Sequence, residues 1–390
     1  MRVKRIHLYR ISIPFKKIFK HSSHERSAAD NIVIETELED GILGYGEGLP
    51  RAYVTGETPE SVITALQEIN SALFQTPIHQ FNELLEFLDF EILSKKNFNH
   101  DRQNNTARCA LELSLLDAYC NSFKKTFFDV AKTVLTNSEE LKKASSVSYD
   151  GILSLSSFSQ SLWSALKLKL FGFHRLKIKV GPEIMTILKT VKNIRKILGN
   201  SVDLRIDVNE AWTEENALSF AQQLKPFLIS AIEQPLPHSK LMKMKELKKL
   251  SPTPLMLDES LCTLEDAKKA IDHELCHLFN IRLSKCGGFI NSLKIAQLAK
   301  QNGIEYQLGC MVGETGILSA AGRQFATLNP DLRYLEGSYD RYLLRDNIIQ
   351  EEISFGRYGK AYALDGWGLG VHIDKEKLKR YTTFSTELFG

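Results

Sequence analysis

Along the first fifty residues apolar and polar side chains alternate with a period of two, in IHLYRISI and again in NIVIETEL, on either side of a polar run KKIFKHSSHERSAAD. Alternation of that kind predicts half-buried strands, and Asp40-Gly41 supplies a hairpin turn toward LGYGEG. From Glu57 to Lys132 the period lengthens to that of helices, most clearly in ARCALELSLLDAYCNSF. Thr58 and Pro59 are set to cap and open the first of them, although Ser61 stands where a capping box would want Glu or Gln. Residues 1–132 therefore read as an α+β unit.

Beyond it the rhythm changes. Short apolar runs SSVSYDG, HRLKIKVG, VDLRIDVN, ISAIEQP, PLMLDES, LFNIRLSKCGG, EYQLGCM and LRYLEGS alternate with helical stretches such as EIMTILKTVKNIRKILG and NSLKIAQLAKQNG. Parallel strands joined by crossover helices give this pattern. Units repeated through residues 133–348 predict an α/β fold, a modified (β/α)8 TIM barrel in its (β/α)7β form, with the first unit as an N-terminal capping domain. An open doubly wound sheet is the alternative on pattern alone. Residues 349–390, Gly-rich and aromatic, show no further unit and are expected to return to the cap.

Composition narrows the function. The 390 residues carry 50 basic and 47 acidic side chains, a net charge of only +3, without a basic and aromatic stripe, so no nucleic-acid partner is expected. No apolar run is long enough to span a membrane, and the N-terminus lacks the apolar core of a signal peptide. Six cysteines at irregular intervals suit buried free thiols and a cytoplasmic location. His273, Cys276 and His277 lack a second ligand pair for zinc. No GxGxxG, GxSxG or P-loop is present.

Chemistry in a barrel sits at the C-terminal ends of its strands. There the sequence places Lys177 and Lys179, then Asp207, Glu233, Asp258 and Lys285, with successive intervals of 25 to 28 residues from Lys179 onward, each about one βα unit. Any one acidic residue at a strand end is commonly a helix cap. Three in register would repel one another unless a hard cation neutralised them, and an all-oxygen trio suits Mg²⁺, with Mn²⁺ also possible. Lys179 and Lys285 would then stand across the barrel mouth from each other, placed to move protons at one α-carbon whose enolate the metal stabilises.

The order Lys-x-Lys, Asp, Glu, Asp, Lys in the contexts KIKVG, DVNEAW, IEQPL, DES and KCGG resembles the enolase superfamily, in its muconate lactonizing enzyme subgroup. The resemblance spans nearly the whole chain, GYGEG and ARCALELSLLD included. It implies metal ligation by Asp207, Glu233 and Asp258, acid/base roles for Lys179 and Lys285, and an electrostatic role for Lys177. It also implies a small-molecule carboxylate substrate and a homo-oligomer. The absence of His from YQLGCM argues against the mandelate racemase branch. Within the subgroup, VTGET resembles a loop of dipeptide epimerases, which favours a racemase or epimerase of a dipeptide or N-acyl amino acid. A muconate-type cycloisomerase, an o-succinylbenzoate synthase-like dehydratase and a catalytically silent binding barrel are the alternatives. Two lid segments, FKKIFKHSSHERSA and LPRAYVTGETPES, and the later strand ends supply the substrate-contact candidates: Lys20, Arg26, Arg51, Tyr53, Thr55, Asn209, Glu314 and Glu336. Glu336-Gly337-Ser338 departs from the Asp-x-Asp that many dipeptide epimerases carry there to bind an ammonium group.

Overall fold

The computed structural model describes residues 1–20, 25–88, 104–135, 141–154 and 157–390; the side chains at 19, 20 and 25 are outside that set. Strands β1 (Val3–Lys20), β2 (Glu25–Leu38) and β3 (Leu43–Gly48) form an antiparallel meander, with Gly41 at positive φ in the turn before β3. Against this sheet lies the cap's helical layer: α1 (Pro59–Gln67), α2 (Phe81–Glu86), α3 (Asn105–Phe123) and α4 (Phe127–Val134). The alternating glycines of β3 explain the fit. A Cβ on Gly44, Gly46 or Gly48 would run into the α3 backbone at Ala118, Ala110 or Thr106. GYGEG is thus a seat for a buried helix. The capping box of α1 is complete after all, because the Ser61 hydroxyl accepts from Thr58 N at 3.0 Å while Ser61 N donates to the Thr58 hydroxyl at 3.2 Å.

The SSVSYDG run does not form one barrel strand. Its first part, β4 (Ser146–Ser148), pairs outside the barrel, and the barrel begins at β5 (Gly151–Ser154). Asp150 marks the bend, its carboxylate held by Arg175 and Arg205 at 2.7 and 2.8 Å. Parallel strands β6 (Arg175–Lys179), β7 (Asp203–Asp207), β8 (Ile229–Glu233), β9 (Leu255–Leu257), β10 (Leu278–Ile281), β11 (Glu305–Leu308) and β12 (Tyr334–Leu335) follow, each beside its predecessor. Asp150 N donates to Leu335 O at 2.8 Å and brings the last strand round to the first. Helices α5 (Phe158–Phe171), α6 (Ile184–Leu198), α7 (Glu214–Leu224), α8 (Met244–Leu250), α9 (Leu264–Asp272), α10 (Phe289–Gln301) and α11 (Gly316–Leu328) make the crossovers. Between β12 and the returning C-terminal segment the described α-helix is the four-residue α12 (Asp340–Leu343), which is the (β/α)7β arrangement.

The remaining chain turns back. β13 (Lys360–Tyr362) pairs with β4, and after α13 (Lys375–Tyr381) the last strand, β14 (Thr382–Phe389), extends the cap sheet beside β1. No described helix is long and apolar enough to cross a membrane.

Two buried carboxylates tie cap to barrel. Glu47 of β3 accepts from Thr315 N and Leu318 N, both at 3.0 Å, at the start of α11. Glu112 of α3 accepts from Phe289 N and Ile290 N at the start of α10. Unsatisfied N–H groups and the helix dipole make such termini natural seats for an acidic side chain. Burial nevertheless outweighs those donors and pushes each carboxyl up to about 7, from an ordinary 4.5. A pKa raised on folding favours the protonated form in the folded state. Its contribution is fully present below about pH 4.5 and is lost as pH rises through about 7. The urea midpoint is expected to fall between pH 5 and pH 7.5, less steeply in a Glu47→Gln/Glu112→Gln double variant. Parallel slopes for the two proteins would count against this assignment.

Candidate active site

The alternation of RLKIK turns Arg175, Lys177 and Lys179 to the barrel interior and Leu176 and Ile178 to the surrounding helices. Deep in the barrel Ala231, Met256, Leu278 and Tyr334 form an apolar cluster of their own. Toward the C-terminal ends of the strands, charge replaces it. Lys177, 1% exposed, lies 2.8 Å from Glu336 and 3.3 Å from both Glu233 and Asp207. Burial opposes its charge, but the three carboxylates override that and raise its pKa. Arg205 joins Glu336 to Asp150 at 2.7 and 2.8 Å. Lys179, one turn of the pleat higher and 21% exposed at its side chain, lies 3.6 Å from Asp207 Oδ2.

The three candidate metal ligands occupy the expected strand ends. Asp207 and Glu233 end β7 and β8, and Asp258 follows β9; all are fully buried. Immediately afterwards the backbone turns through left-handed conformations, at Asn209 (φ 45) and Gln234 (φ 37). Gln234 orders the next loop, its side-chain oxygen accepting from Asp258 N at 2.9 Å and Ser260 N at 3.2 Å. Asn280 holds Glu233 Oε1 at 2.7 Å. Neither residue stands out among the charges of the sequence, yet both are polar breaks in apolar strand ends.

Electrostatics separates the trio. Burial opposes ionisation of Asp207, but Lys177, Lys179 and Arg282 hold it well below the usual carboxylate range. Glu233 is pushed up by burial and then by Asp207 beside it. Asp207 Oδ2 is buried without a well-directed hydrogen bond. An all-oxygen donor set, with one carboxylate oxygen held only by ion-pair contacts to Lys177 and Lys179 and an under-compensated neighbour, fits a hard divalent cation. In the structure these side chains are arranged as ion pairs, and no cluster of three acidic, His or Cys ligands is assembled among the described residues.

Lys285 is not where the sequence reading puts it. Its ammonium turns back between β9 and β10, bonding Asp258 O at 2.6 Å, Asp258 Oδ1 at 2.8 Å and Asn280 O at 2.9 Å, and it is fully buried. The charge presented from β10 belongs to Arg282, which the sequence reading missed. Its guanidinium bonds Asp258 Oδ2 and stands 3.9 Å from Glu233 Oε1.

Beside these charges a cavity of about 150 Å³ opens between the ends of β5 and β6 and the loops at 310–314 and 337–343. Lys179, Ile152, Met311, Val312, Glu314, Asp340 and Leu343 line it. Burial pushes Glu314 up to about 8 and Asp340 up to about 6. Several substrate-contact candidates are committed elsewhere. Glu336 is taken by Lys177 and Arg205. Arg51 is buried and donates to the carbonyls of Pro50 and Val312 at 2.6 and 2.9 Å, fastening the second lid segment to the barrel loop. The Thr55 hydroxyl is buried on Glu57 at 2.6 Å. Asn209 donates to Glu259 at 3.2 Å. Arg26 and Tyr53 meet at 3.0 Å and bring the two lid segments together. The side chain of Lys20 lies outside the described residues.

Removing one partner of a fully buried ion pair strands the other, at a cost of about 3 to 5 kcal/mol. Lys285→Met and Lys177→Met are expected to lose about that much stability in urea unfolding, and Lys179→Met, partly exposed, about 1 kcal/mol or less. Equal losses at Lys179 and Lys285 would contradict their different surroundings.

Residues 164–377 match the family described as Enolase C-terminal domain-like. The chain is 30% identical over 330 residues to a hydrophobic dipeptide epimerase of Enterococcus faecalis, covering 82% of this chain and 86% of the relative. It is 27% identical over 388 residues to an N-succinyl-L-Arg/Lys racemase of Bacillus cereus, covering 98% and 99%. The crystal structure of an Enterococcus faecalis dipeptide epimerase complexed with Mg and L-Leu-L-Tyr superposes with a TM-score of 0.83 at 26% identity, over 95% of this chain and 99% of that one. With the capping sheet, the (β/α)7β barrel and the charged strand ends all in place, the chain belongs to the enolase superfamily.

Proposed function

We propose that the protein is an isomerase that removes the proton α to a carboxylate of a dipeptide or N-acyl amino acid and returns it, as a racemase or epimerase does. One observation carries this reading: Lys179 lines the cavity and at the same time reaches Asp207 among the buried carboxylates. A substrate in the cavity thereby meets a lysine amine beside a site for positive charge. Relatives named as a dipeptide epimerase and an N-succinyl amino acid racemase support the substrate class.

Asp207, Glu233 and Asp258 would hold Mg²⁺, and the ion would supply positive charge against the substrate carboxylate, lowering the cost of the enolate. The chain's own residues do the rest. As the neutral amine, Lys179 takes the α-proton onto its Nζ and becomes the ammonium, the C–H electron pair passing into the enolate. Lys177 stays charged among Glu336, Glu233 and Asp207, fixing their positions and adding positive potential beneath the reacting carboxylate. Ile152, Met311, Val312 and Leu343 exclude water from the cavity and accept apolar substrate groups, while Glu314 and Asp340 are its acidic contacts. The Arg26–Tyr53 contact closes the lid side.

The test is α-proton exchange followed by NMR in D₂O with Mg²⁺, offering L-Leu-L-Tyr and N-succinyl-L-Arg. Wild type is expected to exchange the α-proton of one of them, EDTA to stop it, and Lys179→Ala to slow it by about 10³-fold. Undiminished exchange in Lys179→Ala, or none in wild type with either compound, would refute the proposal. Lactone formation or dehydration in place of exchange would transfer the protein to the cycloisomerase or dehydratase reading.

A further inference from the structure

β6 and β10 are four places apart in a ring of eight strands, so side chains rising from their ends face each other across the barrel mouth. Lys179 rises from β6. On β10 Asn280 points inward to Glu233, and alternation carries Arg282 to the same side two residues later. The Arg282 guanidinium bonds Asp258 and reaches Met311 Sδ at 3.7 Å, and Met311 lines the cavity that Lys179 also lines. Lys285 offers nothing to a ligand. An ammonium group has three N–H donors, and Asp258 O, Asp258 Oδ1 and Asn280 O provide acceptors for all three.

We propose that Arg282 stands on the far face of the substrate from Lys179 and holds charge there without carrying a proton. The inference rests on the α-proton chemistry proposed above. Arginine keeps its proton in proteins and presents only donors, so it suits a substrate carboxylate or enolate oxygen and cannot accept the α-proton. Proton transfer between side chain and substrate is then one-sided, and the slower inversion that makes the protein an isomerase draws its proton from water. The α C–H bond breaks as Lys179 Nζ gains the proton, and the electron pair enters the enolate. Lys179 returns a proton, after trading it with solvent, to the face it came from. Inversion requires a proton delivered on the other face, where Arg282 and water stand in place of an amine.

Exchange and inversion separate in one experiment. L-Leu-L-Tyr and L-Leu-D-Tyr, and in parallel N-succinyl-L-Arg and its D enantiomer, are incubated in D₂O with Mg²⁺ and the full-length protein. α-Proton loss is followed by NMR, and stereochemistry by diastereomer shifts or chiral chromatography. One stereoisomer of a pair is expected to take up deuterium at least about 10-fold faster than it inverts, and the other to exchange slowly. Arg282→Lys, which puts an amine on the far face, is expected to bring inversion to within about twofold of exchange. Should that variant not fold, Arg282→Gln serves, with exchange itself slowed about 10-fold or more by loss of the charge. Equal rates of exchange and inversion from both stereoisomers in wild type would overturn the role of Arg282 while leaving the proposed function standing. So would an unchanged ratio in a folded, active Arg282→Lys. No exchange from any stereoisomer would instead refute the proposed function, and this inference with it.

Discussion

Everything at the mouth of this barrel follows from the need to neutralise ionised groups that water cannot reach. Burying one carboxylate or ammonium alone costs several kcal/mol, so each must find an opposite charge at hydrogen-bonding distance. The chain meets that need with a continuous series of pairs. Arg175 and Arg205 hold Asp150; Arg205 and Lys177 share Glu336; Lys177 reaches Glu233 and Asp207; Lys179 reaches Asp207 from above. A separate knot joins Asp258 to Lys285 and Arg282. Strand register makes this possible, since Lys179 pairs with Asp207 and Asp207 with Glu233 across neighbouring strands. A slip of one residue would turn the charges toward the apolar helices.

The capping domain is locked to the same end of the barrel by buried polar contacts. Glu47 and Glu112 cap α11 and α10, Leu49 N donates to Ser284 Oγ at 2.9 Å, and Asn105 donates to the carbonyls of Cys262 and Lys285 at 2.8 and 2.6 Å. The loop after β10 is therefore clasped from above by α3 and β3. That clasp fixes the backbone from which Arg282 and Lys285 depart. Arg51 does likewise for the loop after β11, and so sets one wall of the cavity.

Residue pattern alone was enough to read much of this. Period-two alternation located β1 and β2, the helical period located α3, and strand–helix alternation with charges spaced by one βα unit gave the barrel and the positions of Lys177, Lys179, Asp207, Glu233 and Asp258. These are properties of local geometry and spacing, which a single chain displays openly. The break between β4 and β5 was not legible, because it depends on two arginines from β6 and β7 converging on Asp150. Nor was the commitment of Glu336, Arg51 and Thr55, whose partners lie 131, 261 and 2 residues away, the last hidden by the burial of Glu57 under α3.

Lys285 and Arg282 show the division most clearly. By itself the sequence determined that charged residues would follow one another at βα spacing as far as Lys285, which it set opposite Lys179 across the mouth. Only the tertiary structure decided which of the two cations touches the cavity's lining, Arg282 at Met311. β10 ends at Ile281, the alternation through Asn280 carries Arg282 inward, and the turn that follows folds the Lys285 ammonium back onto two carbonyls and a carboxylate. Side-chain direction at a strand end depends on where pairing stops and which buried acceptors remain unfilled, and both are set by neighbours distant in the chain.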